Sequence, residues 1–223
     1  MKRIGTVTIG QSPRVDVIPE IAAILGPGVE IREAGALDGL SKEEITKLAP
    51  EKGDYVLVTR LADGSSVQVA ERYITPRVIE KINGHFREGI PLVFLLCTGE
   101  FPGFETGGLL IRPQKVLFHA VSALADGLKL GVMTPSPEQV EQSESRWRQV
   151  SPAVKSVPSS PYVEGMAAAK SAAQDLKNWG AELIVMDCMG YTSAMQDSVR
   201  EITGKPVILA RGIAARTVKE LIG

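Results

Sequence analysis

Short runs of Val, Ile and Leu alternate along this chain with longer stretches in which apolar residues recur at helical spacing. The runs at 4–9, 29–33, 55–59, 92–96, 130–133, 183–186 and 207–209 predict strands. Several are apolar at nearly every position, as strands covered on both faces of a parallel sheet must be. Between them, the segments 14–25, 41–49, 67–83, 115–126, 137–149, 163–178, 193–202 and 213–222 predict helices. Ser41 with Glu44 forms a capping box at the start of the second. Such alternation predicts an α/β fold whose parallel strands are joined by right-handed crossovers.

A weak internal repeat divides the pattern. TVTIGQSPR opens the first half and LGVMTPSPE the second. Each is a strand and a short turn, then Ser12-Pro13 or Ser136-Pro137 leading into a helix, where a proline in the first turn loses no hydrogen bond. Each half later reaches an apolar strand ending in cysteine, LLCTGEF and IVMDCMGYT. The expected architecture is two pseudo-symmetric subdomains, with mainly parallel sheets flanked by helices and an active cleft between them. The boundary falls at 127/128, giving subdomains 1–127 and 128–223, with the last helix able to pack back on the first. The stretch 151–161, rich in Ser and Pro, reads as a loop or irregular strand edge.

Composition narrows the function. The 223 residues are 44% hydrophobic and 23% charged, enough for two small cores. Lys and Arg total 25 against 26 acidic residues, with no basic run, which argues against a nucleic-acid partner. No window approaches the roughly 18 consecutive apolar residues of a membrane helix, and MKRIGTVTIGQSP reads as a first strand rather than a secretory signal. A cytoplasmic location follows as the expectation, with Cys97 and Cys188 as reduced thiols. Two Cys and two His without close pairing argue against structural zinc. With no Walker loop and no complete GxGxxG fingerprint, no cofactor is expected. A homo-oligomer is left open.

In open parallel sheets ligands bind beyond the carboxyl ends of the strands. Here those positions are 10–14, 60–66, 97–101, 134–136, 188–192 and 210–212, a polar, Gly-rich set holding both cysteines. A strand-end thiol can act as a base when ionised and as an acid when protonated. Two of them on opposite faces of one carbon would suit inversion. The competing reading is that each is a small buried hydrophobe, and matched placement in the two halves favours chemistry. Thr98 and Gly99 follow Cys97, and Gly190, Tyr191 and Thr192 follow Cys188, offering backbone N–H groups and hydroxyls. Gln11, Ser12 and Ser136 occupy the two Ser-Pro turns. Arg14, Arg60 and Arg211 are candidate carboxylate binders. Arg14 is expected at a helix N-terminus. Arg60 precedes Ala62-Asp63-Gly64-Ser65, a turn that would aim it at a ligand unless Asp63 pairs with it first. Asp187 reads as a structural cap, His85 as a solvated surface residue, and Trp147 and Trp179 as packing residues.

The repeated strand-end cysteine turns resemble the aspartate/glutamate racemase superfamily, which includes hydantoin racemases, maleate isomerases and arylmalonate decarboxylases. More closely, IGTVTIGQSPR, LVTRLADGS, LLCTGEF and VMDCMGYT resemble the AroM family along essentially the whole chain. The resemblance implies two α/β subdomains with four-stranded, largely parallel sheets and catalytic roles for Cys97 and Cys188. The match holds at Cys97-Thr98. It departs at the second turn, where racemases carry Gly-Cys-Thr and this chain has Asp187-Cys188-Met189-Gly190-Tyr191-Thr192. The His or Glu that often follows there is absent, and Gln11-Ser12 stands where glutamate racemases have Asp-Ser. The expected function is a cofactor-independent racemase or isomerase acting on a small carboxylic acid. The alternative is a non-catalytic acid-binding or regulatory protein of the same fold.

Overall fold

A computed structural model describes residues 2–223, which form two compact units, one running to Pro113 and including Ala215–Gly223, the other Gln114–Ala214. The helix at 113–122 thus falls almost wholly in the second unit, whereas the sequence grouping kept it with the first.

The first unit is built on β1 (Lys2–Thr8), α1 (Ile18–Leu25), β2 (Val29–Gly35), α2 (Lys42–Thr46), β3 (Val56–Arg60), β4 (Ser66–Ala70), α3 (Glu71–Arg87), β5 (Leu92–Leu95) and β6 (Leu109–Ile111). Four strands form a parallel sheet in the order β2-β1-β5-β6. β3 is not part of it. It pairs antiparallel with β4 through a tight turn in which Gly64 takes a φ of 88°. Residues 67–70 therefore lie in a strand where a helix was expected. Val67 and Val69 alternate with Ser66 and Gln68, a period of two, and the helix begins only at Glu71. β6 escaped the sequence reading because only three residues carry its signal.

The capping box at α2 forms: Ser41 Oγ accepts from Glu44 N–H and Glu44 returns the bond to Ser41 N–H. α1 starts at Ile18, with Pro19 in its first turn, so Pro13 and Arg14 lie in the loop before the helix and not at its N-terminus. α3 buries Ile74, Val78, Ile82 and His85. His85 is a correction: it is only 5% exposed, packs on Gly5 of β1, and its Nε2 lies 3.3 Å from the Thr6 carbonyl oxygen. A Cβ at Gly5 would sit 2.7 Å from the His85 ring, so glycine admits the helix here.

The second unit contains α4 (Pro113–Ser122), β7 (Leu130–Thr134), a single 3-10 turn at Pro137–Gln139, α5 (Val140–Trp147), β8 (Val154–Pro158), α6 (Met166–Trp179), β9 (Leu183–Met186), α7 (Ser193–Thr203) and β10 (Val207–Leu209). α8 (Ala210–Ile222) follows without a break, so residues 210–212 are helical, not a strand-end turn. The sheet order is β10-β9-β7-β8, all parallel. The segment 154–158, read as an irregular edge, is a regular edge strand. Pro137 opens its helical turn as expected. Ala169, Ala172, Ala173 and Leu176 of α6 pack on the sheet, and a Cβ at Gly131 would lie 3.0 Å from Leu176. Each fully buried Val, Ile or Leu of these cores contributes roughly 1.5–3 kcal/mol.

The two sheets share one topology. In each, the first strand of the unit is central, its successor lies on one side, and the third and fourth sheet strands lie in order on the other. β5 and β9 hold the same third place, and each leads into a cysteine turn.

Candidate functional site

Cys97 lies two residues beyond β5, and Cys188 two residues beyond β9. The intervening backbone is tied to the central strand each time, Leu96 N–H to the Val7 carbonyl at 2.7 Å and Asp187 N–H to the Met133 carbonyl at 3.0 Å. Each chain then turns back on its sulfur. Gly99 N–H donates to Cys97 Sγ at 3.2 Å, and Gly190 N–H donates to Cys188 Sγ at 3.4 Å. Both thiols are largely buried and neither forms a disulfide. A backbone donor aimed at sulfur favours its charged form. Side chains at both glycines would collide, at Gly99 with Leu57 and at Gly190 with Tyr162 and Pro161.

Around Cys97, most of the expected polar residues hold the loops together. Gln11 donates from Nε2 to the Leu37 and Leu40 carbonyls and accepts from Ala62 N–H at 2.9 Å. Ser12 gives both its N–H and its hydroxyl to the Asp38 carboxylate, at 2.7 Å each. Arg14 is buried; it makes a two-pronged bond to Asp16 and a third bond to Thr8 Oγ1. Burial raises the Asp16 pKa, but Arg14, a backbone N–H and Arg60 together outweigh it and hold the carboxyl below its usual range. Arg60 differs. Its side chain is 32% exposed, it donates from Nε to the Gly64 carbonyl, and it lies 3.8 Å from Asp16. Asp63, the expected competitor, pairs with Lys42 at 2.6 Å.

Around Cys188 the pattern is similar. Arg211 is fully buried and donates to the Met189 carbonyl at 2.9 Å and the Gly190 carbonyl at 3.2 Å, bracing the cysteine turn from behind. Tyr191 is fully buried and its hydroxyl donates to the Ser159 carbonyl. Burial first, then the neighbouring Cys188, push its phenol pKa well up. Thr192 caps α7, accepting from Met195 N–H at 3.2 Å. Thr98 and Ser136 are buried beside the ends of β5 and β7. Asp187 accepts from Trp147 Nε1 at 2.9 Å and from Arg146, side-chain partners where a cap on backbone N–H groups was expected.

Sequence reasoning passed over Asp16, Asp38, Arg146 and Tyr162. Arg146 had a readable signal, since it falls with Ser143 and Trp147 on the buried face of α5. Tyr162, in the loop after β8, had none: its hydroxyl lies 3.8 Å from Cys188 Sγ. Among the described residues no group of three or more His, Cys, Asp or Glu is placed to hold a metal ion, and no helix is long and apolar enough to cross a membrane.

No curated protein matches the chain by sequence. Solved structures match the fold. An allantoin racemase from Klebsiella pneumoniae superposes with a TM-score of 0.64 at 16% identity, covering 100% of this chain and 88% of that one. An unliganded arylmalonate decarboxylase gives 0.61 at 14% identity, covering 100% and 93%. A glutamate racemase from Francisella tularensis, solved with D-glutamate, gives 0.58 at 13% identity, covering 99% and 81%. The two parallel sheets thus share the fold of these two racemases and the decarboxylase. The AroM protein family model matches residues 4–222, and the chain belongs to that family.

Proposed function

We propose that this protein is a cofactor-independent, racemase- or isomerase-like enzyme acting on a small carboxylic acid, with Cys97 and Cys188 as its acid–base pair. The observation that carries this reading is the identity of the two turns. At the same place in each sheet, a cysteine accepts the N–H of the glycine two residues on. A fold that needed these cysteines only as packing would have no reason to repeat a backbone donor to sulfur twice.

Each half, 1–127 and 128–223, contributes one thiol. One sulfur, as thiolate, takes the proton from the carbon next to the carboxyl or carbonyl group; the electron pair left behind delocalises into that group. The other sulfur, as thiol, returns a proton to the opposite face, and the roles are exchanged for the reverse direction. The N–H groups of the cysteine turns and Arg60 hold the acid, with Ser136 and Thr98 supplying hydroxyls. Gln11, Ser12, Arg14, Tyr191, Thr192 and Arg211 act one step back, fixing the loops that carry these groups. The arylmalonate decarboxylase and the glutamate racemase that share the fold, the latter solved with D-glutamate, support an acid of this size.

The direct test is chiral and isomer analysis of α-amino acids, hydroxy acids, maleate-like diacids and shikimate-pathway acids incubated with the purified protein. Appearance of the opposite enantiomer or geometric isomer, lost in Cys97→Ser and in Cys188→Ser, is the expected result. An acid that binds tightly and is recovered unchanged assigns the protein to the non-catalytic alternative.

A further inference from the structure

The loop between β8 and α6 holds two consecutive residues at positive φ. Glu164, with a φ of 58°, is the one non-glycine left-handed residue among those described, and Gly165 follows with a φ of 45°. Ser160 Oγ accepts the N–H groups of Tyr162 and Val163, at 3.2 and 3.0 Å, and fixes the turn from the other side. Backbone held in such conformations needs an offsetting reason. Here the turn lays the ring of Tyr162 on the cysteine turn. A Cβ at position 190 would fall 2.6 Å from the Tyr162 hydroxyl and 2.7 Å from Pro161. Glycine at 190 therefore does two things. It donates its N–H to sulfur, and it leaves room for a phenol whose oxygen sits 3.8 Å from that sulfur.

We infer that Tyr162 is a positioning residue for Cys188, its hydroxyl donating a hydrogen bond to the thiolate. This inference rests on the acid–base role proposed for Cys188. With Gly190 N–H it gives the sulfur two donors, which stabilise the ionised form relative to the thiol and fix the direction of its lone pair. Tyrosine suits the task better than serine, because its rigid ring delivers the hydroxyl from a half-buried position across the glycine. The other ionisable groups about this turn within the unit are already committed. Tyr191 donates to Ser159, Asp187 is held by Arg146 and Trp147, and Arg211 faces the carbonyl side of the turn. Tyr162 brings its hydroxyl to 3.8 Å from the sulfur, within reach of a change of charge there.

The experiment is a pH titration of the Cys188 thiolate by its ultraviolet absorbance in the full-length Cys97→Ser protein, read as the difference from the Cys97→Ser/Cys188→Ser protein. Tyr162→Phe keeps the ring and its packing and removes only the hydroxyl. The expected result is a midpoint about one pH unit higher, from the loss of one hydrogen bond to an ionised group. An unchanged midpoint overturns the inference. Alkylation of Cys188 by iodoacetamide provides a second reading. A merely structural loosening would raise the limiting rate at high pH and leave the midpoint in place, which also counts against the inference. Neither readout needs a substrate. A shifted midpoint without turnover of any acid would retain Tyr162 as a thiolate donor and refute the enzymatic reading; turnover with an unshifted midpoint would do the reverse.

Discussion

Arg211 donates from Nε to the carbonyl oxygen of Met189 at 2.9 Å, and from the same guanidinium to the carbonyl of Gly190, from a position with no exposure to solvent. An arginine in that state stabilises the loop it bonds. Arg211→Met keeps the volume and removes the donors, leaving two turn carbonyls short of a partner. The unfolding free energy in urea should fall by about 2–4 kcal/mol. Stability within about 0.5 kcal/mol of the parent, with weakened acid binding, would return Arg211 to the role of carboxylate binder.

The Arg146–Asp187 pair beneath the same turn is buried, with side chains 8% and 2% exposed. Breaking one partner strands the other charge, so Asp187→Asn should cost roughly 3 kcal/mol, with a change in Trp147 emission because its indole N–H bonds the same carboxylate. The double variant Arg146→Met/Asp187→Leu should recover much of that loss, as replacing a buried pair with apolar groups commonly does. Denaturation of the single and double variants gives both numbers.

Asp16 predicts an acid dependence. Its folded-state pKa lies below the unfolded value of 3.8, so its contribution is complete above that pH and is lost as pH falls through the folded value. The stability difference between the parent and Asp16→Asn should be constant near neutrality and shrink from about pH 4 downward. A difference that grew on acidification would contradict the Arg14–Asp16 pairing.

Gly10 sits where β1 leaves its sheet, and a Cβ there would strike the Arg60 carbonyl oxygen and Thr59 Oγ1. Backbone cannot yield as a side chain can. Gly10→Ala should destabilise by about 1–3 kcal/mol. Gly103→Ala, which meets nothing within 4 Å, is the matching control and should change little.

Much of this architecture was legible because parallel strands buried on both faces leave continuous apolar runs, as in Leu92–Leu95 and Leu183–Met186. The two Ser-Pro turns and two cysteine turns also repeat visibly. The antiparallel β3–β4 hairpin was lost because Val67 and Val69 were absorbed into the pattern of the helix that follows. β6 and β8 were missed or blurred as short edge strands, one before Pro113 and one ending in Pro158. Among site residues, the cysteines stood out by placement. The arginines did not reveal their partners: Arg211 is tied to carbonyls brought close only by folding, Arg14 is taken up by Asp16 two residues on, and Asp63, next to Gly64 at the turn end of the hairpin, pairs with Lys42 instead of Arg60.

The central claim is that two thiols move protons at one carbon. Its most direct measurement is deuterium incorporation from heavy water into an acid that the protein binds, compared among the parent, Cys97→Ser and Cys188→Ser. Serine keeps the size of the side chain and has no accessible anion at neutral pH. The parent should label the reacting carbon in both enantiomers, while each single variant loses inversion and exchanges, at most, one enantiomer on the face of its remaining thiol. An acid that binds the parent and both variants equally and never acquires deuterium would contradict the account.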